Sequence, residues 1–203
     1  MEKFKRWRRG YLWRALVGGW LAVLLIAAGV YGLFSWTHPE IKGLDHLLQQ
    51  AFRNITPTTG WPLVWQILRH NELAALVVIL VGLIPLPFLY WYNLTLTAGS
   101  IGLVLYLAQM QHQALGHLIL TGLLPHGLIE ISCLALAGGI ASELNYYIRS
   151  RSENWRRHQN DWVGQLPLRP FLTALGRQYL LIVVPGLVIA AVIEGLITPA
   201  LLK

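Results

Sequence analysis

Residues 15–36 read ALVGGWLAVLLIAAGVYGLFSW and carry no charged side chain. A helix needs about 20 apolar residues to cross the hydrocarbon core of a bilayer, so this stretch predicts a membrane span. The segment before it, MEKFKRWRRGYLWR, contains six Lys and Arg residues. A cleavable signal peptide has a shorter apolar region and ends on small residues, whereas this one ends on Tyr-Gly-Leu-Phe-Ser-Trp. We therefore expect an uncleaved first span behind a basic arm, residues 1–14.

The composition of the whole chain indicates an integral membrane protein. Of its 203 residues, 55% are hydrophobic and 12% are charged. Soluble domains carry about 25% charged residues, so this chain has too little polar surface to coat a soluble globule. The single cysteine, Cys133, excludes a disulfide scaffold. The net charge of +7 is explained by topology, because cytoplasmic loops of membrane proteins collect Lys and Arg. We expect a lipid bilayer and no nucleic acid as a partner.

Four further apolar segments extend this pattern along the chain. The predicted spans are residues 15–36, 73–91, 94–111, 124–147 and 171–198. Pro85 and Pro87 interrupt the second span and should kink or break it. Residues 37–72 are expected to form an outer amphipathic segment with interfacial helices, or else an ordinary connecting helix packed on the bundle. The predicted fold is all-α: a single integral membrane domain, residues 1–203, forming a polytopic helix bundle of about five transmembrane spans.

The distribution of basic residues predicts the orientation of this bundle. With the N-terminus in the cytoplasm, five spans place residues 1–14 and the polar loop 148–170 on the cytoplasmic side. Twelve of the sixteen Lys and Arg residues then lie inside, as the positive-inside rule requires. A single crossing between residues 73 and 111 would put the basic loop outside. We therefore expect the N-terminus inside and the C-terminus outside.

Four histidine and glutamate residues lie within the predicted spans, where charge is costly and such groups are functional candidates. Glu143 lies six residues before Arg149 and is expected to pair with it or to reach the interface. His126 and Glu130 are four residues apart and share one helix face. Glu130 lies about 9 Å below the outer end of the fourth span, and Glu194 about 6 Å below that of the antiparallel fifth.

The similar depth of these side chains predicts one polar cluster in the outer leaflet. An isolated ionised carboxylate in an apolar medium costs many kcal/mol, so the cluster should be hydrogen-bonded or bridged by a metal ion. The sequence leaves open a polar clamp between two helices and a divalent ion, for which zinc is the best choice. The expected additional members are Asn71 and Glu72, with His117 a weaker choice.

Small residues in the fourth span indicate close helix packing, because lipid gives no apolar drive for helices to associate. They include Ala135, Gly138, Gly139 and Ser142. The packing could be within the chain or between copies, so a homo-oligomer is one interpretation. No phosphate-binding glycine loop, nucleophile elbow, zinc-protease motif or paired-cysteine motif occurs in the sequence.

Two segments together resemble the stage II sporulation protein M family. They are LPHGLIE at residues 124–130 and AAVIEGLITP at residues 190–199, which match the family's LPHGxxE and AAxIE…TP patterns. Asn71 also resembles an asparagine found before the second span of the family. The chain departs from it at Asn93-Leu94, where the family pattern has Asn-Gly. The resemblance implies a multi-span protein of the bacterial cytoplasmic membrane that anchors cell-wall hydrolases while a forespore is engulfed.

Three functions remain open from the sequence. The first is a non-enzymatic scaffold for peptidoglycan-remodelling partners, which the resemblance favours. The second is an intramembrane hydrolase, metal- or glutamate-dependent, that works through His126, Glu130 and Glu194. The third is a small transporter or its membrane subunit, because intramembrane carboxylates also serve proton relays. No residue is assigned a catalytic role from sequence alone.

Overall fold

The computed structural model describes residues 2–38 and 60–201. Within those two ranges the chain is helical and no strand occurs, which confirms the predicted all-α class. The predictions for residues 39–59, which include most of the outer amphipathic segment and its interfacial helices, lie outside the described residues.

Five helices in these ranges are long and apolar enough to cross a membrane, which confirms the polytopic bundle. Large apolar side chains stay exposed along the first, second and fifth helices, as expected where lipid instead of water covers a helix. The helices are α1 (Glu2–Thr37), α2 (Trp61–Val81), α3 (Tyr92–Met110), α4 (Leu115–Arg157) and α5 (Leu168–Ile197).

Contacts at the helix ends place the connecting segments at two opposite ends of the bundle. At one end the rings of Trp7 and Trp162 meet edge to face, with centroids 5.8 Å apart. At the other, the Tyr31 hydroxyl at the end of α1 donates to Gln109 Oε1 at the end of α3, at 2.8 Å. We call the first the basic end and the second the distal end. The N-terminal arm and the α4–α5 loop therefore share the basic end.

The second spanning helix occupies residues 61–81, not the predicted 73–91. Its start is fixed by Gly60, whose φ of +76° suits glycine, and by Pro62 in the first turn, where a missing N–H costs little. Pro85 and Pro87 prevent the helix from continuing. Residues 61–72, assigned above to the outer segment, thus belong to a helix that is long and apolar enough to cross a membrane.

The backbone is not helical just after α2, and the side chain of a buried asparagine donates hydrogen bonds to its free carbonyl groups. Proline-rich backbone at membrane depth leaves carbonyl groups that need donors. Asn145 of α4 supplies them, since its Nδ2 donates to the carbonyl oxygens of Gly82, Ile84 and Leu86 at 3.4, 2.5 and 3.3 Å. A short 3₁₀ turn, Leu89–Trp91, then leads into α3.

Helix α4 extends beyond its predicted span, residues 124–147, at both ends. It starts at Leu115 and passes through a π turn at Leu118–Leu123. At the basic end it continues to Arg157, so the first part of the predicted loop 148–170 is helical. His158 then adopts a left-handed conformation, φ +52°, which ends the helix.

Helix α5 begins at Leu168 after Pro167, close to the predicted start of the fifth span. Two π turns interrupt it, at Tyr179–Val183 and at Ile193–Ile197. Thr198–Leu201 continues it to the distal end. Such π turns occur frequently at functional sites, and here one of them contains Glu194.

Candidate functional site

The structure brings His126, Glu130 and Glu194 together at the distal half of the bundle. Each of the three offers one ligand atom, and these atoms all lie within 4.8 Å of one another. His126 and Glu130 come from successive turns of α4, and Glu194 comes from the last π turn of α5. We call these three residues the distal cluster. It is the arrangement that the antiparallel topology predicted.

The imidazole of His126 lies between the two helices with a different neighbour at each ring nitrogen. Its Nε2 is 3.9 Å from Glu194 Oε2. Its Nδ1 is 3.4 Å from Thr198 Oγ1, and the same hydroxyl donates to the carbonyl oxygen of Ile193 at 3.3 Å. Thr198 was not among the predicted site residues. Its position four residues after Glu194, on the same helix face, is the sequence signal that could have found it.

The side chains of the distal cluster are mostly covered by protein. The side chain of His126 is 11% exposed and that of Glu194 is 33% exposed. Glu130 is partly buried beside them and close enough for the two carboxylates to repel.

A close approach of α2 supports the cluster from behind. A Cβ atom on Gly195 would lie 2.5 Å from Val64 Cγ2 and 3.0 Å from the Val64 backbone nitrogen, so only glycine fits there. Further along α2, His70 lies near enough to Glu194 for their charges to interact. The cluster is therefore held by three helices, although only two of them contribute its side chains.

The additional members predicted from sequence occupy different positions. Asn71 is buried on the same face of α2 as Val64, and its Nδ2 has no hydrogen-bond partner among the described residues. Glu72 lies outside the distal cluster and accepts a hydrogen bond from the Tyr179 hydroxyl at 2.5 Å. His117 is also outside it, with its Nδ1 3.3 Å from the Thr121 hydroxyl.

A second polar centre, which the sequence did not predict, lies toward the basic end. The Arg8 guanidinium Nε donates to Glu143 Oε2 at 2.8 Å, and its other arm donates to Gln178 Oε1. The Glu143 side chain is fully buried and that of Arg8 is 13% exposed. Contrary to the expectation, Glu143 neither pairs with Arg149 nor reaches the interface: the first turns of α1 pack against α4 and α5, and Arg8 supplies the cation. Sequence spacing within α4 carries no sign of a partner 135 residues away.

The small residues of α4 pack within the chain. A Cβ atom on Gly138 would lie 2.9 Å from the Trp91 ring, and one on Gly139 would lie 2.8 Å from Ala15 Cβ. Ala135 is fully buried against α1. The hydroxyl of Ser142 is 2.9 Å from those of both Tyr11 and Tyr90. These contacts account for the small side chains without a second copy.

The two polar centres differ in their chemistry. In the centre near the basic end, the carboxylate of Glu143 forms an ion pair with the guanidinium of Arg8. In the distal cluster two carboxylates face one imidazole, a set that can ligate a divalent metal ion or exchange a proton with a neighbour. Of these two centres in the described residues, the distal cluster is therefore the candidate functional site.

Comparison with known proteins gives one match. The family model described as Stage II sporulation protein M matches residues 17–199, a range that contains both polar centres except Arg8. No curated protein matches the chain, and no solved structure matches it.

Proposed function

Because the chain belongs to the stage II sporulation protein M family, we propose that it is a membrane scaffold that assembles peptidoglycan-remodelling partners during engulfment. The chain is a multi-pass membrane protein of a sporulation family. The further step, from membrane protein to scaffold for cell-wall hydrolases, is the proposal. It rests on the resemblance described above and on the way in which the helices are fixed to one another.

The observation that supports a scaffold is the use of buried polar side chains as ties between helices. Arg8 joins α1 to α4 and α5 through Glu143 and Gln178. Asn145 joins α4 to the break after α2. Each tie fixes the relative position of its helices, because a buried polar group that loses its partner costs about 1–3 kcal/mol. A rigid frame of this kind presents constant surfaces to partner spans.

The orientation follows the charge distribution. We place the basic end of the bundle in the cytoplasm, because it holds the N-terminal arm together with the arginine-rich last turns of α4. Single cysteines at Gln113 and Gln159, in a Cys133→Ala background, test this in whole cells. An impermeant thiol reagent should label position 113 and leave position 159 unlabelled until the cells are opened. The reverse pattern would invert the orientation.

Site-specific photocrosslinking in the native host tests the scaffold. Crosslinkers on the exposed apolar faces of α1 and α2, at Leu25 and Leu76, should capture proteins that carry a peptidoglycan-degrading domain or its membrane anchor. A crosslinker at the buried Ala98 is the matched control and should capture none. Absence of wall-remodelling proteins among the captured partners would contradict the proposal.

One observation favours a second candidate function, an intramembrane hydrolase: the His and two carboxylates of the distal cluster lie within ligand distance of one another. Turnover separates the two functions. The scaffold predicts that the purified protein cleaves neither peptidoglycan nor peptides. Hydrolysis that Glu130→Gln abolishes, and that Glu72→Gln leaves intact, would promote the enzyme and refute the scaffold as the sole role.

A further inference from the structure

The distal cluster has a geometry that hydrogen bonding does not explain. The 3.9 Å between His126 Nε2 and Glu194 Oε2 is too long for a hydrogen bond, whose heavy atoms lie about 2.7–3.2 Å apart. Two ligand atoms on one tetrahedral zinc ion, with bonds of about 2.0–2.2 Å, lie about 3.4 Å apart. The three ligand atoms lie within 4.8 Å of one another, so side-chain rotations must bring them closer to reach this spacing. We propose that His126, Glu130 and Glu194 bind one divalent transition-metal ion, with zinc the best fit.

The hydrogen bonds around His126 leave the correct nitrogen free for a metal. The Thr198 hydroxyl has one proton and donates it to the Ile193 carbonyl oxygen. Its oxygen then accepts the proton of His126 Nδ1. In that tautomer Nε2 carries a lone pair, and this lone pair faces the carboxylate of Glu194. A metal ion placed between these two acceptors would be a ligand partner for both. A polar partner on the non-ligating nitrogen is also the usual way in which proteins orient a metal-binding histidine.

The charge of the cluster fits a divalent ion. Two carboxylates and a neutral imidazole carry a formal charge of −2, and a cation of charge +2 neutralises it within an apolar bundle. The ion-pair interactions of the described residues leave these carboxylates without a Lys or Arg partner. An imidazole together with carboxylates favours zinc or a related transition metal over calcium and magnesium, which prefer oxygen ligands alone.

The backbone supports such a site. Glu194 lies in a π turn of α5, and its carboxylate lies beside His126 of α4. A π turn inserts one residue into a helix and so changes the direction of the side chains that follow. Gly195, beside it, allows α2 to approach. Three protein ligands leave one position of a tetrahedral ion open for water or another ligand.

Metal analysis of the purified protein tests the proposal. The full chain is purified in detergent with an affinity tag that contains no histidine, stripped with a chelator, and titrated with zinc chloride and with cobalt(II). We expect about one ion per chain, with binding weakened at least about tenfold in Glu130→Gln, Glu194→Gln and His126→Asn. Visible absorption of the cobalt form should be lost in the same variants. Glu72→Gln and His117→Asn are matched controls outside the cluster and should bind as the wild type does.

Thermal unfolding provides a second measurement of zinc binding, and its main comparison is the wild-type protein with and without zinc. Zinc should raise its Tm in a concentration-dependent manner, because an ion that binds only the folded state stabilises it, and Glu194→Gln should show no rise. The proposal is overturned if the wild type binds no ion and its Tm is unchanged at a large excess of zinc. It is equally overturned if folded Glu130→Gln/Glu194→Gln protein binds zinc as tightly as the wild type.

Discussion

The buried pair between Arg8 and Glu143 allows a sharp test of how the N-terminal arm is held. The perturbation is a double-mutant cycle of Arg8→Met, Glu143→Leu and the two together. Both replacements preserve much of the side-chain volume and remove the charge. The pair is separated by 2.8 Å, and its carboxylate has no exposure. Its energetics should therefore follow those of a buried ion pair.

The magnitudes follow from what each variant leaves behind. Either single change leaves one buried charge uncompensated, which costs about 3–5 kcal/mol. The double variant leaves no charge, but the Gln178 carbonyl oxygen loses its Arg8 donor, a cost of about 1–3 kcal/mol. The double variant should therefore be more stable than either single variant. One decade in the unfolding equilibrium corresponds to about 1.4 kcal/mol, so each single variant should shift it by two to three decades.

Tryptophan fluorescence provides the assay. Trp7 directly precedes Arg8 and packs against Trp162, so its emission should change when the start of α1 leaves the bundle. Unfolding of the purified protein in mixed detergent micelles gives the free energy of each variant. Arg14→Met, at an exposed position of the same helix, is the control for a general loss of positive charge and should change little. If the two single costs add in the double variant, the two side chains do not stabilise each other and the reasoning fails.

Two further predictions concern helix packing. Gly102→Ala should destabilise the bundle by about 1–3 kcal/mol, because its Cβ would collide with the Ala27 carbonyl oxygen, whereas Gly99→Ala, with open space around it, should be at least as stable as the wild type; thermal unfolding of both variants checks this. Asn145→Leu should cost about 1–3 kcal/mol, because it removes the donor to the Ile84 carbonyl and its neighbours. Unchanged stability in either destabilising variant would contradict the stated contact.

The sequence predicts the features that depend on periodicity and charge. The number of spans follows from the apolar runs, and the similar depth of His126 and Glu194 follows from the antiparallel order of α4 and α5. Helix boundaries were harder to predict. Polar side chains such as Glu72 suggested that α2 starts later than it does, yet the Tyr179 hydroxyl accommodates that carboxylate inside the bundle. A hydropathy scale includes the free-energy cost of placing a polar side chain in the membrane. It cannot include a hydrogen-bond partner elsewhere in the fold that lowers this cost.

The same limit explains why one polar centre was predicted and the other was missed. The distal cluster joins residues near the ends of consecutive spans, which topology alone brings to one depth. The basic-end centre depends on Arg8, a member of an arm that sequence reasoning assigned to the membrane surface. Its burial follows from tertiary packing of Trp7 and Phe4 against the α4–α5 region.

The contrast between the two centres bears on where the chain interacts with its surroundings. Glu130 and Glu143 lie thirteen residues apart on one helix, about 20 Å along its axis. Glu143 has its cation, Arg8, within the protein, and this ion pair ties α1 to α4. The carboxylates of Glu130 and Glu194 have no Lys or Arg partner in an ion pair among the described residues, and the basic side chains near Glu194 are the imidazoles of His126 and His70. Charge balance in an apolar bundle then depends on protonation within the cluster or on a cation from outside the chain, such as a metal ion or a partner's basic group. The distal cluster is therefore the site whose substitution should alter function with the least effect on the frame.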